Sequence, residues 1–129
     1  MDMRQMFCKA ERLKSKIVFK ELMTEGHSVK KYPFVLVWKR SLESLEFPIE
    51  IAFSVSKKRF PKAVDRNEIK RKIREVYRRN KFHWHKKLSD SYSVLLIYTS
   101  KQKMDLDVIQ NKLILVFERF ISDVFDKDT

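Results

Sequence analysis

Glycine is almost absent from this chain of 129 residues, with Gly26 the only one. Walker and Rossmann phosphate loops need several glycines for the backbone to approach a phosphate, so neither can be built here. That removes most nucleotide-hydrolysing enzymes. Cysteine is as scarce. Cys8 alone can form no internal disulfide, and no Cys/His grouping has zinc-ligand spacing, which suits a reducing compartment and an idle thiol. No window approaches 18 uninterrupted apolar residues, and the opening MDMRQMFCKAERLKSK lacks the apolar core of a signal peptide. The expectation is a soluble cytoplasmic protein with no membrane partner. Repeats and low-complexity linkers are missing too, so residues 1–129 read as a single domain, with 1–10 a flexible N-terminus.

Negative charge is also in short supply. Seventeen acids face 29 Lys and Arg, a formal charge of +12. Such a chain repels itself unless a polyanion is its usual company, and nucleic acid is the leading candidate, ahead of an anionic membrane surface. Hydrophobic residues reach 43%, with ten Phe, four Tyr and two Trp. A chain of this length can bury about two thirds of its unfolded surface.

The basic residues are densest from Lys57 to Arg79, KKRFPKAVDRNEIKRKIREVYRR. On a helix at ~100° per residue, Asn67, Lys70, Arg71, Arg74 and Arg78 share one stripe. Ile69, Ile73, Val76 and Tyr77 lie opposite. Asp65 with Glu68 reads as a capping-box start, and Pro61 at the first helical position is the alternative, one turn earlier. Glu68 with Lys72 and Glu75 with Arg79 are i, i+4 ion pairs. The stripe has no acid at i, i+4 spacing, which leaves its charge for a partner. A solvated helix face is the plain alternative, and the net charge of the chain weighs against it.

The rest of the chain supplies a frame. Glu11 to Glu25 has loosely helical apolar spacing and ends at Gly26 as a C-cap. Tyr32 to Arg40 is rich in β-branched and aromatic residues, opened by Pro33. In IEIAFSVS, Ile49, Ile51, Phe53 and Val55 alternate with Glu50, Ala52, Ser54 and Ser56, a strand with one core face and one shallow polar floor. Ser93 to Thr99 is a continuous apolar run suited to a strand covered on both sides. From Leu106 to Val124 apolar residues recur at helical spacing behind Asp105 as N-cap. With a short strand near Ser28 to Lys31, the order is α-β-β-β-α-β-α, an α+β fold with one sheet of about four strands.

Little here suggests catalysis. His83 and His85 flank Trp84 without carboxylates to complete a metal or acid/base site, and they read as surface histidines beside a polyanion. Acids are scattered and mostly matched to bases, so no two-carboxylate site stands out. Phe19, Phe60 and Trp38 are candidates for stacking on unpaired bases, with core packing the plainer alternative for any single ring.

Taken together, FSVSKKRFPKAVDRNEIKRKIREVYR, the preceding RLKSKIVFKELMTEG and the aromatic strand resemble the protein subunit of bacterial ribonuclease P. The resemblance runs from about Arg12 to Phe125. The family signature, Arg-Asn-Arg-x-Lys-Arg-x-x-Arg after a strand ending Val-Ser-Lys-Lys, stands here as Arg66-Asn67-Glu68-Ile69-Lys70-Arg71-Lys72-Ile73-Arg74 after Val55-Ser56-Lys57-Lys58. The resemblance implies a mixed sheet with a left-handed β-α-β crossover, against the usual hand. It implies a one-to-one complex with a catalytic RNA that removes 5′ leaders from precursor tRNA. Magnesium belongs to the RNA active site, and no cofactor is held by the protein alone. Arg66, Lys70, Arg71 and Arg74 would lie on the catalytic RNA, within a basic set that includes Lys57, Lys58, Arg59, Lys62, Asn67 and Arg78. The leader cleft would map to Phe19, Met23, Val37, Ser54 and Ala63, with Lys57 beside it. Three departures are plain: Glu68 replaces an Arg, Met23 and Val37 replace aromatic rings, and the loop from Arg59 to Lys62 is one residue longer.

Overall fold

The computed structural model describes residues 11–43 and 45–128, the side chain of Asp128 excepted. The expected idle thiol of Cys8 and the expected flexibility of 1–10 lie outside the described residues. Among the described residues the elements are α1 (Lys16–Glu25), β1 (His27–Lys31), β2 (Phe34–Arg40), β3 (Ile49–Val55), α2 (Ala63–His85), β4 (Tyr92–Tyr98) and α3 (Leu106–Asp128). The four strands form one mixed sheet in the order β1-β2-β4-β3, as the α+β reading expects. β1 and β4 each run antiparallel to β2, and β3 runs parallel to β4 with α2 carrying the chain between them.

Strand register sorts the sheet into two faces. Phe34, Tyr98 and Val55 align across β2, β4 and β3, as do Leu36 with Leu96 and Phe53, and Trp38 with Val94 and Ile51. These rows face α2 and α3 and form the main core. The intervening rows, Val35 with Ile97 and Ser54, Val37 with Leu95 and Ala52, face the other way. There α1 packs over β2 and β4 through Leu22, with Leu13, Val18 and Phe19 in a smaller apolar cluster. β4 is thus covered on both sides, as its continuous apolar run requires.

Several boundaries differ from the sequence reading. The first helix begins at Lys16, capped by Ser15 Oγ accepting from the Val18 N–H at 3.3 Å. Glu11 to Leu13 instead lie alongside β3, with a parallel bridge from Arg12 to Ile51 and a 3.0 Å bond from the Leu13 N–H to the Ile51 carbonyl. Gly26 does cap α1, in extended rather than left-handed backbone, donating to the Leu22 carbonyl at 3.0 Å.

The basic helix starts at neither expected position. Its N-cap is Lys62, with no side-chain cap. Asp65 and Glu68 do not form a capping box, because both carboxylates turn to Lys103, at 2.7 and 2.8 Å. A cation delivered by the β4–α3 loop outcompetes the local backbone donors. The helix also runs on to His85, past the Arg79 limit of the sequence reading. Lys81 breaks the apolar periodicity there, yet it is fully buried. Its ammonium meets Glu11 at 2.6 Å, with both side chains inaccessible to solvent. No local pattern reveals a partner 70 residues away.

Candidate nucleic-acid interface

α2 has the two faces its sequence spacing requires. Ile69, Ile73, Val76 and Tyr77 are at most 1% exposed, sealed against the sheet and α3. Asn67, Arg71 and Arg74 are exposed and Lys70 is half-buried. Because one face of the helix is anchored, the other has a fixed orientation, and its charges are presented as a row rather than as a mobile tail.

The row is shorter than the sequence suggested. Arg78 is not left for a partner, since Glu75 accepts from it at 2.7 and 3.2 Å while also holding Arg79 at 3.0 Å. The i, i+4 reading missed the i, i+3 pairing, which a forked guanidinium makes readily. Glu75 raises the Arg78 pKa, and Arg78, ahead of Arg79, lowers that of Glu75. Arg66 is also engaged. It donates to the Phe60 and Pro61 carbonyls at 2.9 and 2.8 Å, bracing the loop that enters α2. Arg59 does similar work on the Thr99 carbonyl. Lys57, Lys58 and Lys62 stand exposed on that loop, which Ser56 Oγ shapes by accepting from the Lys58 and Arg59 N–H groups at 3.1 and 3.4 Å.

Glu68 stands within this surface, where the resemblance has an arginine. Its charge is offset mainly by Lys103 at 2.8 Å, with Lys72 more distant at 4.0 Å. Lys103, followed by Lys72 and Arg71, holds the Glu68 carboxyl below its ordinary pKa, so it stays ionised and paired. The sequence offered Lys72 for this role, and nothing in it pointed to Lys103.

On the opposite sheet face, Phe19, Val37 and Ala52 come together in the smaller apolar cluster. Ser54 lies in the next row, beside Ile97. β3 is the outer strand of the sheet, flanked at Ile51 by the Glu11–Leu13 segment, and its Ala52 and Ser54, with Ser56 just beyond it, are half-buried and make the shallow floor expected from their alternation. Met23 and Ala63 are exposed and are not part of that cluster.

Several aromatic and histidine expectations are corrected. Trp38 and Phe60 are core residues, 1% and 7% exposed, and Trp38 Nε1 donates to Asp123 at 2.8 Å. Neither can stack on a base. Of the three rings proposed for stacking, only Phe19 keeps part of its surface accessible. His85 is not a surface histidine. It is 6% exposed, 3.2 Å from the Tyr77 hydroxyl, and burial followed by the Lys81 charge pushes its pKa down to about 4. His83 is exposed. Among the described residues no three His, Cys, Asp or Glu side chains converge as a metal site, and no helix is long and apolar enough to cross a membrane.

An outward basic row on an anchored helix, beside a sheet with a shallow floor, is the context in which comparison with known proteins becomes informative. A family model described as Ribonuclease P matches residues 7–121. The chain belongs to the ribonuclease P protein family. A Staphylococcus aureus ribonuclease P protein component is 37% identical over 119 residues, covering 92% of this chain and 96% of that one. A Porphyromonas gingivalis ribonuclease P protein component is 38% identical over 73 residues, 57% of this chain. The chain spans about half of that relative, 53%. Among solved structures, an RNase P protein from S. aureus superposes with a TM-score of 0.70 at 32% identity, covering 86% of this chain and 95% of that one. One from Thermotoga maritima gives 0.68 at 26%, covering 84% and 96%. Membership favours the role of a ribonuclease P protein component over that of a general RNA-binding or ribosome-associated protein.

Proposed function

We propose that this chain is a single-domain protein subunit of ribonuclease P, acting in the cytoplasm in a one-to-one complex with a catalytic RNA. That complex removes 5′ leaders from precursor tRNA endonucleolytically. One observation carries the reading: Lys70, Arg71 and Arg74 face outward along α2 while Ile69, Ile73, Val76 and Tyr77 lock its other side. Arg66 and Asn67 at the start of the helix, and Lys57, Lys58, Arg59 and Lys62 on the loop before it, extend the same surface, with Arg78 at its far end held by Glu75. The leader lies along the sheet margin at Ser54, against Phe19 and Val37, with Met23 and Ala63 at its borders. Val37 and Met23 offer no ring, so leader stacking falls to Phe19.

The mechanism is electrostatic. Fixed cations neutralise phosphates of the catalytic RNA, so RNA and substrate approach with less repulsion and less demand for dissolved magnesium. The magnesium that serves cleavage is held by RNA, and no residue of this chain is assigned to it. The chain contributes binding and orientation, with no catalytic side chain of its own.

Reconstitution with a bacterial catalytic RNA at low magnesium tests this. Leader removal should need both components. If about six to ten phosphates are contacted, RNA affinity should fall ~10³ to 10⁵ between 50 and 200 mM salt. Arg71→Ala and Arg74→Ala should each flatten the log-log salt slope by roughly one. Cleavage by the protein alone, abolished by His85→Ala in a variant that still folds, would overturn the assignment, as would unchanged slopes.

A further inference from the structure

Where α2 passes the start of α3, the side chains of Arg71, Lys72, Glu75 and Leu106 enclose a notch of about 360 Å³. Arg71 and Glu75 stand one turn apart on α2, and Leu106, the first residue of α3, closes the other side. Three charged residues would be expected to make a polar notch, yet its wall is mostly apolar. The cause is where the charges are held. The Lys72 ammonium donates to the Met104 carbonyl at 3.3 Å, and the Glu75 carboxylate accepts from Arg78 and Arg79 at 2.7 to 3.2 Å. With their heads drawn aside, these two side chains turn their methylene stems to the notch beside Leu106.

The floor is held in place. Leu106 is half-buried and packs on the main core. The loop before it is tied to α2 by Lys72 on Met104 and by Lys103 on Asp65 and Glu68, at 2.7 and 2.8 Å. Arg71 differs from its neighbours. It is exposed, and among the described residues it makes no hydrogen bond or close ion pair. Its guanidinium is available as a planar cover over an apolar floor.

This chemistry selects an occupant. An RNA phosphate gains little inside, because Glu75 is an anion and Leu106 offers no donor. An unpaired base suits both walls, with one face on Leu106 and the other under the Arg71 plane, since single-stranded RNA bases stack on guanidinium groups. Its phosphate stays outside, on the row where Lys70 and Arg71 stand. Three N–H bonds leave the Glu75 carboxylate about one of its roughly four lone-pair positions. The exocyclic amine of adenine or cytosine can fill that position. Uracil has no such amine, and guanine presents two adjacent donors where one acceptor position is open.

We propose that this notch seats one unpaired adenine or cytosine of the catalytic RNA, stacked between Arg71 and Leu106 with its amine on Glu75. The site rests on the RNA-binding reading above and adds a base contact to the phosphate contacts of the row. Arg71 belongs to both, so the base and the phosphates come from one RNA.

The test measures binding of the full chain to the catalytic RNA at 50 to 200 mM salt, for the parent, Leu106→Ala and Arg71→Lys, with thermal melting as the check on folding. The bound RNA is also probed with dimethyl sulfate, which methylates the Watson–Crick edge of unpaired adenine and cytosine. Each variant should lose affinity by roughly fivefold, the lower end of what a stacked base contributes. The log-log salt slope should stay as in the parent, because neither change alters charge. One adenine or cytosine that the parent protects should react again with either variant. Arg71 is exposed, so its variant should fold even where Leu106→Ala does not. Parent affinity and an unchanged footprint in Arg71→Lys would overturn the base site, and a slope flattened by Arg71→Ala would leave the basic row standing. Weaker binding that releases no nucleotide would overturn it too, as a change in how α2 and α3 fit. Protection found only on precursor tRNA in the reconstituted complex would overturn the assignment to the catalytic RNA. An unchanged slope in both Arg71→Ala and Arg74→Ala would reject the RNA-binding reading itself.

Discussion

Lys81→Met removes the ammonium from the most enclosed ion pair among the described residues and leaves a side chain of similar bulk. Glu11 and Lys81 meet at 2.6 Å with no solvent access to either. The Glu11 carboxylate then stays in a dry site without its counter-charge. Stranding one member of a buried pair costs about 3–5 kcal/mol. A domain of this size has about 5–15 kcal/mol in total. At roughly 3–4 °C per kcal/mol for this chain length, the melting temperature should fall by about 10–20 °C. Urea unfolding followed by tryptophan fluorescence is a direct assay, because Trp84 lies in the same core, stacked on Phe117 at 4.1 Å between ring centres. A Glu11→Met/Lys81→Met double variant should recover most of the loss, since apolar side chains of similar volume can replace a buried pair with little or no penalty. NMR titration gives a second readout. Lys81 is one of the two causes that depress the His85 pKa to about 4, so Lys81→Met should raise it, without reaching the ordinary 6.5 while burial persists. A single-variant loss under about 1 kcal/mol, or a double variant as unstable as the single one, would refute the view that this pair is sealed from water.

Further outcomes follow from the same contacts. His85 is neutral in the fold, and its depressed pKa means that the unfolded chain binds a proton first as pH falls below about 6.5. Stability should therefore be full above that pH and decline by on the order of 2–3 kcal/mol toward pH 4, a slope that His85→Gln removes in equilibrium unfolding. Gly26→Ala should destabilise by about 1–3 kcal/mol and tilt α1, because the added methyl would press on the Leu22 carbonyl and lie 2.6 Å from Val37 Cγ1. A melting temperature unchanged within a degree would show that the α1–β2 contact yields freely. Lys103→Ala releases the Glu68 carboxylate into the basic row, so RNA affinity should drop, and adding Glu68→Ala should restore it. No recovery in filter binding would mean that Lys103 acts through its own charge instead.

How much of this was legible in the sequence varied with the range of the interaction. Period two in IEIAFSVS, helical spacing in Ile69, Ile73, Val76 and Tyr77, and the unbroken apolar run through Leu95 and Leu96 are local consequences of pleat, pitch and burial. They sufficed for element types and order and for the two faces of α2. The fates of Arg66, Arg78, Trp38 and His85 were not legible, because a side chain's freedom depends on what the fold sets beside it. Arg78 was lost to Glu75 by a choice between i+3 and i+4 that sequence spacing leaves open.

The sequence alone determined that a strongly cationic helix must bury one face and present the other, since periodicity and charge are properties of the chain taken residue by residue. Tertiary structure alone decided which cations remain presented, where α2 ends, and that Glu11 to Leu13 line β3 instead of opening a helix. The physical reason lies in pairs such as Glu11 with Lys81 and Glu68 with Lys103. Electrostatic energy depends on distance through space and on the exclusion of water, and neither is encoded by separation along the chain.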